Sequence, residues 1–328
     1  MLGVVVALVV ALVAWFEVEA NPSGGPGTAV VVQVRPGESS TSVLDQLGRE
    51  GVIGSPLAFR MGDLVEGTPN IRPGAYLFHR NQSFSTVRAI LAGGSNIASL
   101  TVPPGYTLHE VATELDALPG DLGRQFLAVA GSGKVRSPWE PSGSNNLEGL
   151  LGTGTYQILP GTTDAQLLTT MAERFDDQAA AAGATPGAAG ALGLSPYQLI
   201  VVASIVEKEG YRPQSNLGPV ARVIYNRLAA GMHLDMDSTV LYALGQDGGP
   251  VTAADLKIDS PYNTYLSSGL TPTPVCSPSP AAIRAAVDPP AGSWLYFVVV
   301  DKDGTEAFSS TFAQQQANEA LAAGRGLG

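Results

Sequence analysis

The sequence is poor in the residues that hold metals, disulfides and nucleic acids. It has one cysteine, Cys276, which cannot form an intramolecular disulfide. Its three histidines, His79, His109 and His233, are scattered without the spacing of a metal site. Lys and Arg total 18 against 29 Asp and Glu, a net charge of −11, and no basic cluster occurs. Phosphate binding needs concentrated Lys and Arg, so nucleic acid is excluded as a partner, and we predict neither a metal nor a cofactor.

The length of 328 residues allows two or three modules, and the composition is that of a loop-rich globular chain, with 39 Gly and 24 Pro. Only 14% of the residues are charged, and 45% are hydrophobic. We predict an α+β protein. Its parts are an N-terminal apolar helix, small α/β modules, and a mixed α+β domain built around a buried helix.

The first sixteen residues contain no charge, because Glu17 and Glu19 are the first charged residues of the chain. As a helix they cover about 24 Å, slightly less than the roughly 30 Å hydrocarbon core of a bilayer. We interpret 1–20 as a single membrane anchor, followed by a flexible tether at 21–29. A signal peptide cut near 18–20 and a buried core helix are the alternatives. The first two interpretations both place the rest of the chain on the extracytoplasmic side of the cell membrane.

A strand, a Pro-Gly turn and a short helix occur twice, at a constant offset of 68 residues. The second copy also carries a capping box at 107–110. Two interpretations stay open: 30–130 is a LysM-like region that binds cell wall, or the repeat is a spacer whose apolar positions only form core. The matching positions are Val34 and Val102, Pro36 and Pro104, Gly37 and Gly105, Val43 and Val111, and Leu47 and Leu115.

We assign 131–328 to a mixed α+β catalytic domain. Its first part is 147–178, and an Ala- and Gly-rich segment at 179–193 predicts an exposed linker or a frayed helix. The core, 194–328, includes a β-hairpin around the turn at 301–304.

The helix at 196–210 is apolar on nearly every side, which predicts burial on most faces. It begins at a Ser195 cap and stops at Gly210. Glu207 lies one turn after Ala203 and Ser204, whose small side chains leave room for a ligand. Burial and the negative end of the helix dipole both favour the protonated carboxylic acid, as protonation of a glycosidic oxygen requires. The alternative is a solvated helix end.

Polar residues follow within about thirty positions of this helix. Tyr225, Asn226 and Arg227 lie on a second predicted helix, and Asp237 and Ser238 open a third. Such a set suits a sugar ligand.

An ordered series of strings covers the chain from residue 147 to its C-terminal end. They are LEG at 147–149, ASIVEKE at 203–209, VIYNRL at 223–228, GM at 231–232, DSTV at 237–240, DSPYNTY at 259–265, GL at 269–270, FS at 308–309, and Thr311. Together these strings resemble the signature of the YceG-like endolytic murein transglycosylases, and the repeat with its N-terminal anchor resembles the layout of that family.

The resemblance implies an enzyme that cleaves nascent peptidoglycan between N-acetylmuramic acid and N-acetylglucosamine and leaves a 1,6-anhydro end. It implies Glu207 as the catalytic acid, with Glu209 as an exposed rival. Peptidoglycan strands are the implied substrate, and peptidoglycan synthases are candidate partners. The implied substrate-binding residues are Glu148, Ser204, Tyr225, Asn226, Arg227, Asp237, Ser238, Asn263, Tyr265, Ser309 and Thr311.

The chain departs from the family pattern in three places. The string LLGTG at 150–154 replaces an aromatic-proline-acidic run, and Glu306 stands where a histidine is usual. Thr271, Thr273 and Ser279 interrupt an expected proline-glycine loop.

A non-catalytic scaffold that binds peptidoglycan is the alternative function, and it predicts a Glu207 that is exposed or paired with Lys208 away from any cleft. A serine or metal hydrolase is disfavoured, because the sequence has no Gly-x-Ser-x-Gly or Ser-x-x-Lys string, and His109-Glu110 lacks the following His.

Overall fold

The computed structural model describes residues 2–118, 122–210 and 212–327. Met1 and Gly328, the outer ends of the predicted anchor and catalytic domain, lie outside these ranges. The chain forms two compact units. The first comprises the residues up to Leu100 together with Tyr156–Thr162, and the second comprises Thr101–Thr155 and the residues from Thr163 onward. The predicted domain boundary at 130/131 differs from this division and stays a prediction.

The first helix, α1 (Leu2–Ala20), has a mean hydropathy of 2.3 and is long and apolar enough to cross a membrane. Its C-terminal part packs on the core of the first unit through Trp15, Phe16 and Ala20. The segment 21–29, predicted to be a flexible tether, forms hydrogen bonds with the first unit. Gly27 N–H donates to the carbonyl of Arg80, and the Asn81 amide donates to two carbonyls of the same segment, so the chain is fastened to the first unit.

The first unit continues with a strand, two helices, a second strand and a further helix. These are β1 (Ala29–Val34), α2 (Ser40–Arg49), α3 (Pro56–Glu66), β2 (Gly74–His79) and α4 (Phe84–Gly93). β1 and β2 pair antiparallel, with Ala29 opposite His79 and Val34 opposite Gly74. Val32, Val34, Tyr76 and Phe78 alternate with more exposed residues along the two strands and form the core with α2, α3 and α4, as the period of a half-buried strand requires.

The second copy of the repeat has the same element order. It comprises β3 (Ala98–Val102), α5 (Leu108–Asp116), α6 (Phe126–Ala130) and β4 (Gly154–Ile158), and β3 pairs with β4. The predicted strand, Pro-Gly turn and helix are confirmed in both copies. Gly37 and Gly105 adopt φ of +79° and +88°, a conformation that favours glycine. The matching apolar residues of both copies are buried.

The rest of the second unit is mainly helical and surrounds one central helix. Its helices are α7 (Asp164–Ala181), α8 (Pro186–Ala191), α9 (Pro196–Gly210), α10 (Leu217–Ala229), α11 (Asp237–Leu244), α12 (Pro280–Val287) and α13 (Phe312–Gly324). Short 3₁₀ helices occur at Gln214–Asn216 and Asp255–Lys257. β5 (Tyr296–Val299) and β6 (Glu306–Ser309) form the predicted hairpin. Helix α9 packs against α8, α10, α11 and α12, so the mixed α+β class and the burial of this helix are confirmed.

The Ala- and Gly-rich segment 179–193, predicted to be an exposed linker or a frayed helix, is largely helical, and most of its residues are exposed. It holds the end of α7 and all of α8, and Ala179 and Ala189 are completely buried. Small side chains let these helices approach closely, which low complexity in the sequence does not reveal.

Candidate active site

Glu207 is buried near the C-terminal end of α9, with 4% of its surface exposed. The helix begins as predicted, because Ser195 Oγ accepts from the N–H of Gln198 and the Gln198 side chain accepts from the N–H of Ser195. Leu199 to Val206 are buried on all sides, which is why a helix without an exposed stripe carries Glu207 into the interior.

The carboxylate of Glu207 is held by Ser279, which the sequence marked only as a departure from the family pattern. The N–H of Ser279 donates to Glu207 Oε2 at 2.8 Å, and its hydroxyl donates a short hydrogen bond to the same oxygen. Ser279 is also the N-cap of α12, because its Oγ accepts from the N–H of Ala282. The carboxylate therefore faces the N-terminal end of a helix, where the dipole favours negative charge.

Glu207 opens onto a pocket of about 240 Å³, which we call the acid pocket. A buried carboxyl group at the wall of a pocket can exchange a proton with a ligand bound there. The peptide bond between Arg212 and Pro213, two of the lining residues, is cis. The lining residues are Pro104, Glu207, Arg212, Pro213, Gln214, Leu217 and Ser279.

A second carboxyl group, Glu148, lies in a separate pocket of about 300 Å³, which we call the side pocket. Its Oε1 accepts from the N–H of Leu108 at 3.0 Å, and its Oε2 accepts from the hydroxyl of Tyr242 at 3.1 Å. Burial raises the pKa of Glu148 to about 7, although these hydrogen bonds act in the opposite direction. Glu148 can therefore carry a proton near neutral pH. The side pocket is also lined by His109, Glu110, Lys208 and Ser238.

Lys208 lies next to Glu207 in the sequence but binds other groups. Its Nζ pairs with Asp247 Oδ1 at 2.6 Å and donates to the carbonyl of Gly105 at 3.3 Å. The arrangement expected of a scaffold, an exposed Glu207 or a Glu207–Lys208 pair, is therefore absent from the part of the chain that the structure describes.

The expectation that Glu209 is exposed is wrong. Glu209 is partly buried, and its Oε1 accepts from the N–H of Ser238 at 3.0 Å, so it satisfies a free backbone donor at the start of α11. Burial raises the pKa of Glu209. Burial and the nearby Glu209 charge also raise the pKa of Glu306, in the position where the family usually has a histidine, to about 8.

The predicted polar set on α10 binds the protein rather than a pocket. The Tyr225 hydroxyl donates to the carbonyl of Ala286, and the Asn226 amide donates to the carbonyls of Gly292 and Trp294. Arg227 is buried and donates to three backbone carbonyls, those of His233, Leu234 and Leu295, and to the Asp235 carboxylate. In this geometry the three side chains fasten α10 to its neighbours, and a role for them in contacting a sugar stays a prediction.

Ser204 and Asn263 are likewise completely buried. Ser204 Oγ donates to the carbonyl of Val201 and accepts from the N–H of Val275, so it joins α9 to the loop before α12. The Asn263 amide donates to the carbonyls of Leu256 and Ile258. Direct substrate contact by either side chain does not fit these positions.

The remaining predicted residues occupy three places. The Tyr265 hydroxyl donates to Asp237 Oδ1 at 2.6 Å. Ser309 is buried at the end of β6 and accepts from the Asn318 amide, and Thr311 is the N-cap of α13. Of the predicted substrate-binding residues, the structure brings Glu148 and Ser238 together in the side pocket.

Sequence reasoning missed Ser279 as a partner of Glu207. The available signal was Ser279-Pro280, a Ser N-cap followed by Pro at the first helical position, which is the pattern that located the start of α9. It predicts a helix start but not which carboxyl group meets it. In the described ranges no group of three His, Cys, Asp or Glu side chains is arranged to hold a metal ion.

The fold and site define a mixed α+β protein in which a buried helix carries a carboxyl group to the wall of a pocket. Comparison with known proteins identifies the family. Residues 32–320 match the model of the YceG-like family, and the chain belongs to that family.

Two curated relatives are both called endolytic murein transglycosylase. The protein of Streptococcus pneumoniae (strain D39) is 29% identical over 89% of this chain, and that of Bacillus subtilis (strain 168) is 26% identical over 88%. The match covers 58% of the length of the first relative and 83% of the second. A crystal structure of a YceG-like protein from Listeria monocytogenes is similar with a TM-score of 0.60 and 26% identity, over 88% of this chain and 98% of the other.

Proposed function

We propose that this chain is an endolytic peptidoglycan lytic transglycosylase. It cleaves the bond between N-acetylmuramic acid and N-acetylglucosamine in nascent strands and forms a 1,6-anhydromuramoyl end. The observation that carries the proposal is the position of Glu207, a buried carboxyl group on a central helix that opens onto a pocket. Membership of the YceG-like family and the shared name of the relatives support the same reaction.

In the proposed mechanism Glu207 acts twice. As an acid it protonates the glycosidic oxygen. As a base it then takes the proton of the muramoyl C6 hydroxyl, which closes on C1 in place of water. One carboxyl group suffices, because the proton that it gives in the first step returns in the second.

Ser279 serves this cycle as a positioning residue. Both of its hydrogen bonds end on Oε2, which leaves Oε1 for the exchanged proton. They also stabilise the carboxylate that forms after the first transfer.

The remaining parts of the proposal concern location. Helix α1 anchors the chain in the cell membrane, with the second unit on the extracytoplasmic side where new glycan appears. The repeats are LysM-like modules that bind peptidoglycan, and peptidoglycan synthases are candidate partners.

The test is digestion of un-crosslinked peptidoglycan strands by the full chain, with the products identified by mass spectrometry. We expect Glu207→Gln to lower the formation of anhydromuramoyl ends by about 10²- to 10⁴-fold, the usual contribution of a general acid. Ser279→Ala keeps the backbone hydrogen bond, so its loss should be smaller. Glu209→Gln, a neighbour on the same helix, is the matched control, and Glu148→Gln tests the other buried carboxyl group that lines a pocket.

Undiminished products with Glu207→Gln, together with a loss in Glu148→Gln or Glu209→Gln, would assign the acid to another carboxyl group. Absence of anhydromuramoyl ends from the wild-type digest, combined with binding of the strands, would favour the non-catalytic scaffold.

A further inference from the structure

Two adjacent large apolar residues at the C-terminal end of α3 face solvent. Leu64 is 87% exposed and Val65 is 89% exposed, which matches or exceeds the exposure of the apolar residues along α1. Single apolar residues scattered on a surface are normal in soluble proteins. Apolar residues next to each other form a patch that can serve as a contact surface.

The position of this pair relative to α1 follows from the contacts of the first unit. Phe16 lies against Gly62 of α3, where an added Cβ would meet its ring at 3.4 Å, and Phe16 packs edge-on against Phe84. Glu19, further from the apolar end of α1, lies against Gly54, just before α3 begins. The C-terminal end of α3 is therefore the end nearer to the apolar part of α1.

The charge pattern of α1 marks where a bilayer would end. Glu17 is its first charged residue, so the uncharged part of α1 ends at Phe16. The interfacial region is roughly 5–7 Å thick on each side of the hydrocarbon core. Gly62 and Glu66, which flank Leu64 and Val65 on α3, line one cavity together with Phe16 and Glu17 of α1, so the pair lies close to the level of this boundary.

The charges beside this end of α3 are already paired. Arg88 forms ion pairs with Asp63 at 2.7 Å and with Glu66 at 3.3 Å. The surface thus offers apolar side chains rather than free positive charge, which favours the boundary between headgroups and acyl chains over attraction to anionic lipid.

We propose that the Leu64–Val65 end of α3 inserts into the membrane interface beside α1 and holds the first unit against the bilayer surface. This inference rests on the part of the proposed function that makes α1 a membrane anchor. Its partner is the lipid surface of a neutral bilayer.

The test uses the full chain reconstituted in phosphatidylcholine vesicles, with an environment-sensitive fluorophore on one introduced cysteine. Cys276 is completely buried and remains in place, with the chain that has no added cysteine as the labelling blank. The variants are Val65→Cys, Leu12→Cys on α1 as the reporter of the anchor, and Leu57→Cys as the matched control. Leu57 is 61% exposed at the opposite end of α3.

We expect lipids brominated on their acyl chains to quench the labels at positions 12 and 65 by about twofold or more, and to leave position 57 unchanged, because insertion reaches about 5–10 Å into the headgroup–acyl boundary. Quenching at position 12 with none at 65 overturns the inference but keeps the anchor. No quenching at position 12 overturns both. A label at 65 that is shielded from aqueous iodide yet not quenched by lipid indicates a protein partner and also overturns the inference.

Discussion

The two copies of the strand–turn–helix repeat differ in what their Pro-Gly turns contact. A Cβ added at Gly37, in the first copy, would meet no atom within 4 Å among the described residues. In the second copy the N–H of Gly105 donates to the carbonyl of Ser277, and its own carbonyl accepts from Lys208 Nζ. Pro104, the residue before it, lines the acid pocket.

The helix starts of the two copies also differ in their contacts with residues distant in the sequence. Ser39 caps α2 alone, by accepting from the N–H of Ser42. In α5, Thr107 and Glu110 form a capping box, and Glu148 accepts from the N–H of Leu108. One local pattern thus forms the same elements twice, and in the second copy residues distant in the sequence connect the turn and the helix start to the candidate active site.

The largest effect on activity should come from the turns. We expect Gly37→Ala and Gly105→Ala each to cost about 1–2 kcal/mol of stability, because both glycines have positive φ. Only Gly105→Ala should also lower the formation of anhydromuramoyl ends, by about 10- to 100-fold, because a small displacement beside Glu207 misplaces the reacting groups. Chemical denaturation and the strand-digestion assay measure the two effects.

Gly37→Ala is the control for lost stability in this pair. Equal activity of the two variants would mean that the second turn has no part in the site, and the comparison between the copies would lose its functional meaning.

The next effect is on stability, and it should appear in the pH dependence of unfolding. Burial raises the pKa of Glu148 from 4.5 to about 7, so the folded state binds a proton that the unfolded state has released between these values. The stabilisation is complete below pH 4.5 and is lost as the pH rises through 7, at a cost of about 3 kcal/mol. Glu148→Gln should remove this loss, as urea denaturation at pH 4.5 and pH 8 would measure.

Burial also raises the pKa of Glu306 to about 8, so the wild type has a second source of the same slope. The decisive quantity is therefore the difference between Glu148→Gln and the wild type at each pH. An unchanged slope in the variant would contradict the placement of Glu148 in a buried, weakly solvated position.

The smallest effect should come from the helix caps. Ser39→Ala and Thr107→Ala should each cost about 1 kcal/mol of stability, the usual value of an N-cap. Only Thr107→Ala should also reduce activity, and by less than Gly105→Ala, because its helix start lies beside Glu148. The same digestion assay measures both cap variants. Equal activity of the two would mean that the second copy contributes to catalysis through its turn and not through its helix start.

Local pattern predicted the elements of this comparison well. The repeat, the capping box at Thr107 and the start of α9 at Ser195 were all predictable, because caps, turns and apolar periods act over a few residues. The burial of α9, and with it the burial of Glu207, followed from an apolar surface on every side.

Polar side chains were predicted less well. Tyr225, Asn226 and Arg227 have the chemistry of sugar-binding residues, yet in the structure they bind backbone carbonyls of neighbouring loops. A buried backbone carbonyl needs a hydrogen-bond donor, and so does a sugar ligand. The sequence does not show which of the two a polar side chain will bind. The same ambiguity made Glu209 look exposed when it caps α11.

The sequence by itself determined the duplicated strand, turn and helix and the helix that carries Glu207, because these depend on residues close together in the chain. Only the tertiary structure decided that Ser279 holds the Glu207 carboxylate, that Lys208 turns to Asp247, and that one copy of the repeat joins the site. Those contacts join residues far apart in the chain, and their partners are selected by packing and by the need to satisfy every buried polar group.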